Sequence, residues 1–220
     1  MLHAIEQMTG RVQIFRDNRF EMARPLAPIT VRYPGLPSFE GCIFGHPEAV
    51  TFPHNYPKLR ASLNLAHGGG IDSWLLKTIM RLVDWRLISK VRAANFLTWF
   101  EKTIDVSAQV NGPEAPPVMY GLAIGAKDGR PASVGVSFID PATQAAEANE
   151  IGMGAITGIP LACGVKFLID GQLKETGVFS PEAGHINPKL FLEEVLVQLG
   201  HLTHLSSIAF EDNIKISCSW

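Results

Sequence analysis

The tightest constraint in this chain is the tetrad Lys127-Asp128-Gly129-Arg130, set between the strand-like runs 118–125 and 133–139. An Asp-Gly pair in that setting specifies a two-residue hairpin. Both turn positions need positive φ, which these residue types adopt at the least steric cost. Residues 118–139 therefore fold as an antiparallel pair, and the rest of the chain has to cover or extend it.

The flanking sequence supplies both kinds of element. Residues 11–15 alternate and then meet Asp17-Asn18, a strand running into a turn. A second strand is expected over 29–33, closed by Pro34-Gly35, and a short apolar one over 41–45. Residues 59–65 alternate again, with Leu59, Ala61, Leu63 and Leu65 on one face. After His67-Gly68-Gly69-Gly70, Asp72 or Ser73 can cap a helix over 73–87, whose apolar stripe is Leu75, Ile79, Leu82 and Val83. A second helix is expected over 90–102, and the proline-rich stretch 111–117 leads into the hairpin.

Beyond the hairpin, residues 143–170 read as a small-residue helical region. A break, or a helix starting there, is expected near Gly158-Ile159-Pro160, because proline removes an amide donor, and Asp170-Gly171 ends the region. Residues 176–179 resemble a short strand. Asn187-Pro188 opens a helix reaching Leu199, and strands are expected over 205–210 and 214–218. Antiparallel hairpins with flanking helices give the class α+β: a mixed, largely antiparallel sheet covered by helices on one face.

Composition removes several functions. Of 220 residues, 46% are hydrophobic and 18% charged, with a net charge of −2. Disorder is excluded by the first figure and electrostatic nucleic-acid binding by the last. So few charges over so much apolar surface suggest a missing partner subunit or domain. Cys42, Cys163 and Cys218 show no C-x-x-C spacing, so reduced thiols in a cytoplasm are expected. Residues 1–10 lack the apolar core of a secretory signal. The one span-like stretch, 151–169, holds four glycines, Pro160 and Lys166; it reads as a buried core helix and not a membrane span.

A dinucleotide-binding unit needs a strand followed by G-x-G-x-x-G. The nearest approach, Gly152-x-Gly154-x-x-x-Gly158, has the wrong last spacing and follows a polar, alanine-rich run. Neither a phosphate loop nor a G-x-S-x-G elbow is present. This chain is therefore expected to bind no cofactor itself.

His46, Glu48 and His54 are the best candidates for chemistry, displayed on a proline-stiffened loop after a strand. Glu48 could fix the tautomer of either imidazole and so assemble an acid–base pair; a polar loop with satisfied hydrogen bonds is the alternative. His67, before three glycines, marks either close backbone approach to a ligand or a tight turn. His201 and His204 have no third metal ligand and read as a solvated helix end.

Four segments in order carry a resemblance. They are His46-Pro47-Glu48-Ala49-Val50-Thr51-Phe52-Pro53; Gly125-Ala126-Lys127-Asp128-Gly129-Arg130-Pro131; Thr157-Gly158-Ile159-Pro160-Leu161-Ala162 running to Leu168-Ile169-Asp170-Gly171; and Gly177-Val178 with Pro181-Glu182. Spanning about residues 25–200, they resemble the C-terminal region of saccharopine dehydrogenase-like proteins. Relatives commonly carry a threonine where residues 150–153 stand, so no hydroxyl role is carried over there.

The resemblance implies a single C-terminal substrate-binding and dimerisation domain over 1–220, similar in fold to the C-terminal domain of glyceraldehyde-3-phosphate dehydrogenase. The Rossmann domain of the same protein would be absent from the chain. It implies a cytoplasmic homodimeric oxidoreductase acting on a secondary amine between an amino acid and an oxo acid, with NAD or NADP held by that missing domain. The isolated chain would be inactive, with neither nucleic acid nor membrane as partner. His46, Glu48 and His54 would then be catalytic, and Arg60, His67 and Thr157 would contact substrate. The competing expectation is a non-catalytic ligand-binding or dimerisation module that kept the fold. A stand-alone hydrolase has no nucleophile–base motif behind it.

Overall fold

In the computed structural model, residues 1–67, 74–103, 116–117, 119–138, 152–202 and 207–220 are described; side chains at 101–103 and 152–156 are not. The Gly68–Gly70 run, the caps at Asp72 and Ser73, most of the 111–117 stretch, residues 143–151, His204 and the start of the expected 205–210 strand lie outside them. The architecture is α+β. Among the described residues every strand pair is antiparallel, and the strands form three separate three-stranded sheets in place of the one mixed sheet expected. Contacts divide the chain into two compact units. Unit 1 is Met1–Arg32 with Ser38–Ala115; unit 2 is Tyr33–Pro37 with Pro116–Trp220.

Unit 1 runs α1 (Leu2–Gln7), β1 (Val12–Arg16), β2 (Arg19–Ala23), β3 (Pro28–Val31), β4 (Phe39–Ile43), α2 (Glu48–Asn55), β5 (Ala61–Ser62), β6 (Leu65–Ala66), α3 (Trp74–Asp84) and α4 (Lys90–Thr103). Asp17 and Asn18, at φ 50 and 62, form the two-residue turn that pairs β1 with β2. The alternating run 59–65 is not one strand. Ser62 pairs with Phe15 in the sheet β2-β1-β5, whereas Leu65 pairs with Ile43 in the sheet β3-β4-β6. Alternation reports a pleat but not its partner, so the sequence could not show the chain changing sheets at Leu63-Asn64.

Val12, Ile14 and Ile43 form the core where these sheets meet. A larger cluster joins Ile5 and Met8 to Ile79, Met80 and Val83 of α3 and to Ala93, Ala94 and Leu97 of α4. The α3 stripe thus contains Ile79 and Val83 as expected, while Met80 is buried and Leu82 only half-buried.

Unit 2 holds β7 (Tyr120–Lys127), β8 (Arg130–Phe138), α5 (Gly152–Ile169), a 3₁₀ turn (Pro181–Ala183), α6 (Pro188–Leu202), α7 (Phe210–Asn213) and β9 (Ile214–Ser219). The hairpin forms as its turn dictates, with Asp128 at φ 52 and Gly129 at φ 77. Helix α5 passes through Pro160 without the expected break. The missing amide removes one hydrogen bond, and packing of Ile159, Cys163 and Phe191 against Val195 and Leu199 holds the helix together.

Nor is α5 buried all round: Leu161, Val165, Leu168 and Ile169 are exposed. The spacing i, i+4, i+8 of Ile159, Cys163 and Phe167 marks its packed face, and Leu161, Val165 and Leu168 form the other. Gly171, at φ 67, ends it. Residues 176–179 form no strand, and 207–209 are irregular before α7. Asn187 caps α6, its side-chain oxygen accepting from the Lys189 amide at 3.0 Å. Among the described residues no helix is long and apolar enough to cross a membrane.

Candidate functional site

The site lies in unit 1, where β4 ends. Residues 46–47 lead directly into α2, so Glu48 stands in the first turn of a helix and not on the open loop expected. Pro47 fits the helix entrance because its missing amide would have had no intrahelical partner there. A carboxylate in a first turn also faces the positive end of the helix dipole.

The imidazole of His46 donates from Nδ1 to Glu48 Oε2. That same carboxylate oxygen accepts from Asn64 Nδ2 at 3.2 Å. The Asn64 side-chain oxygen in turn accepts from the Ala49 amide at 2.9 Å, and the Ser62 hydroxyl donates to the Glu48 carbonyl at 3.1 Å. Asn64 therefore clamps both the helix start and the carboxylate that orients His46. With Nδ1–H engaged, Nε2 is the nitrogen left for a ligand, and both side chains are partly exposed, at 42% and 40%. The arrangement can hold or deliver a proton at Nε2.

The remaining candidates are distributed more widely. His54 lies six residues further along α2, its ring 5.8 Å from that of Phe20. Glu48 thus orients His46, and His54 belongs to an aromatic contact. Arg60 is exposed just before β5, and its carbonyl accepts from the Asn18 amide at 3.2 Å. His67 is half-buried against Phe39 at 5.4 Å between ring centroids. Thr157 belongs to unit 2, exposed on α5. Gly152, Gly154 and Gly158 lie inside that helix, not in a turn between strand and helix.

Asn64 is the participant that sequence reading missed. It sits sixteen residues from Glu48 as one polar position in an alternating run, and only the β4–β6 pairing brings it to the carboxylate. Among the described residues no group of three or more His, Cys, Asp and Glu side chains could hold a metal ion. Neither a protein-family model nor a curated protein matches the chain.

Proposed function

We propose that this chain is the substrate-binding and dimerising half of a saccharopine dehydrogenase-like oxidoreductase. It would act on a secondary amine joining an amino acid to an oxo acid in the cytoplasm. The observation that carries this is the Asn64-steadied His46–Glu48 pair, which falls within one of the four segments bearing the resemblance. Making or breaking such an amine requires a proton to be placed on, or taken from, nitrogen, and a half-exposed imidazole held by a carboxylate is suited to that. Arg60 supplies a guanidinium able to clamp a substrate carboxylate through two parallel hydrogen bonds.

The three glycines nearest the dinucleotide fingerprint lie within α5 and so form no strand-to-helix turn of that kind. NAD or NADP is assigned to a Rossmann domain outside this chain, and no step is derived through it. The same reading gives the chain a fold of the glyceraldehyde-3-phosphate dehydrogenase C-terminal type and makes it a homodimer. The exposed apolar face of α5 supports a second copy as the covering surface.

The test is nicotinamide-dependent turnover of the complete protein on imines formed from amino acids and 2-oxo acids. His46→Gln is expected to lower turnover by about 10²–10⁴-fold, the usual contribution of general acid–base catalysis. Unchanged turnover would remove His46 from the mechanism. No nicotinamide oxidation with any such pair would leave a non-catalytic module as the reading.

A further inference from the structure

We infer that unit 1 carries a separate binding site for a small dicarboxylate, in the cavity between the β2–β3 connection and α3. The cavity has a volume of about 350 Å³ and shares no residue with the His46–Glu48 pair. It is of the size that takes a small organic molecule. Its charge is one-sided: Arg24 comes from the connection, and Lys77 and Arg81 from α3. None of these three forms an ion pair with a carboxylate among the described residues. The lone acid in the lining, Asp84, is already engaged, its Oδ1 accepting from the Gly10 amide at 2.7 Å.

Arg24 and Arg81 are exposed and Lys77 is half-buried, so the three cations stand at the open side of the cavity. Lys77 and Arg81 stand at i and i+4 on one helix, where like charges destabilise. A bound anion would turn that repulsion into attraction. Met8, Leu26 and Met80 back the lining and are almost wholly covered by protein, so an aliphatic body would lie against the more open Ala27 and Pro28. Two guanidiniums favour carboxylates, which they grip by paired hydrogen bonds, and cations from two segments suit one carboxylate at each end of a short chain.

The cavity wall is also held in advance. Leu26 adopts φ 61, a conformation that costs a non-glycine residue energy, between Pro25 and Pro28. It is fixed there by its amide donating to the Ile43 carbonyl at 2.8 Å, while the Ile43 amide donates to the Ala27 carbonyl at 2.9 Å. Such preorganisation lowers the ordering cost of binding.

The experiment is calorimetric titration of the full chain with succinate, then with acetate and inorganic phosphate. Succinate is expected to bind, weakening as salt is added. Acetate, with one charge, and phosphate, with no aliphatic body, are expected to bind at least tenfold more weakly. Arg24→Gln and Arg81→Gln are each expected to weaken succinate at least tenfold, with circular dichroism showing an intact fold. Lys77→Gln is a third variant for use should either arginine variant misfold. Absence of succinate binding, affinity unmoved in folded variants, or phosphate matching succinate would each overturn the proposal. No nicotinamide turnover is involved, so this result and the oxidoreductase reading stand or fall separately.

Discussion

The ring of Tyr33 occupies the space a side chain on Gly135 would need: a Cβ placed there would lie 2.4 Å from Tyr33 Cζ and 2.8 Å from its hydroxyl. The tyrosine is buried and packs edge-on to Tyr120, with ring centroids 5.4 Å apart. Gly135→Ala is therefore an overpacking substitution, expected to cost about 1–3 kcal/mol in chemical denaturation. Gly125, on the neighbouring strand β7, has nothing within 4 Å of the same added atom. Gly125→Ala should be neutral or stabilising by up to about 1 kcal/mol, through the unfolded chain. Equal effects at the two positions would show that glycine flexibility, and not the tyrosine, sets the outcome.

Asn64→Ala removes the acceptor for the Ala49 amide and the donor to Glu48 together. The expected loss is about 1–3 kcal/mol, as for other satisfied polar groups left without a partner. Asn64→Asp keeps the acceptor but sets a second carboxylate against Glu48, so it should recover only part of that stability. Full recovery by aspartate would mean that capping of α2, and not the contact with Glu48, is what Asn64 contributes.

Lys189 donates to Glu211 at 2.8 Å, tying the start of α6 to α7. The hydrogen bond from Lys189 holds the Glu211 carboxyl below the ordinary glutamate range, and the same bond holds the Lys189 ammonium above its own. A lowered carboxyl contributes stability above its unfolded pKa and loses it as pH falls through the folded value. A raised ammonium contributes fully below its unfolded pKa and loses it as pH rises through the folded one. The pair's contribution is thus complete between the two ordinary ranges and fades at either end. Both groups are exposed, so salt should shrink it further. The melting-temperature gap between wild type and Lys189→Met should peak near neutrality in low salt and close in acid. A gap that persists in acid would point to packing of the lysine over Phe210, 5.2 Å away, in place of charge.

Of the three thiols, Cys42 and Cys163 are each 1% exposed, whereas Cys218 on β9 is open to solvent. Burial, and then Glu194 nearby, pushes the Cys163 thiol up and away from the reactive thiolate. A thiol reagent should modify one cysteine rapidly in the folded chain and all three in denaturant. Mass spectrometry of the fast product should place the label on Cys218; fast labelling of Cys163 would mean that the α5–α6 packing opens readily.

The sequence was most legible where the signal is local. Asp128-Gly129 specified its hairpin, Asn187-Pro188 the start of α6, and Asp17-Asn18 a turn whose second strand, β2, is too polar to announce itself. Legibility failed wherever a partner distant in sequence decides. Residues 59–65 change sheets, Asn64 reaches a carboxylate sixteen positions away, and Pro160 is carried through by its neighbours' packing on α6. His46 and Glu48 could be named in advance because they stand two positions apart. The cationic cavity could not, since Arg24 and Arg81 come to line one cavity only after the chain has folded.

Tyr33 also sets a timetable. It leaves the ribosome well before Tyr120 and Gly135, the residues it packs against in unit 2. At about 5–20 residues per second, the roughly 100 residues between them take on the order of 5–20 s to make. Through that interval the tyrosine emerges inside a segment whose neighbours on both sides are building a different unit. Unit 1 must therefore leave residues 33–37 looped out, or hold them wrongly and let go.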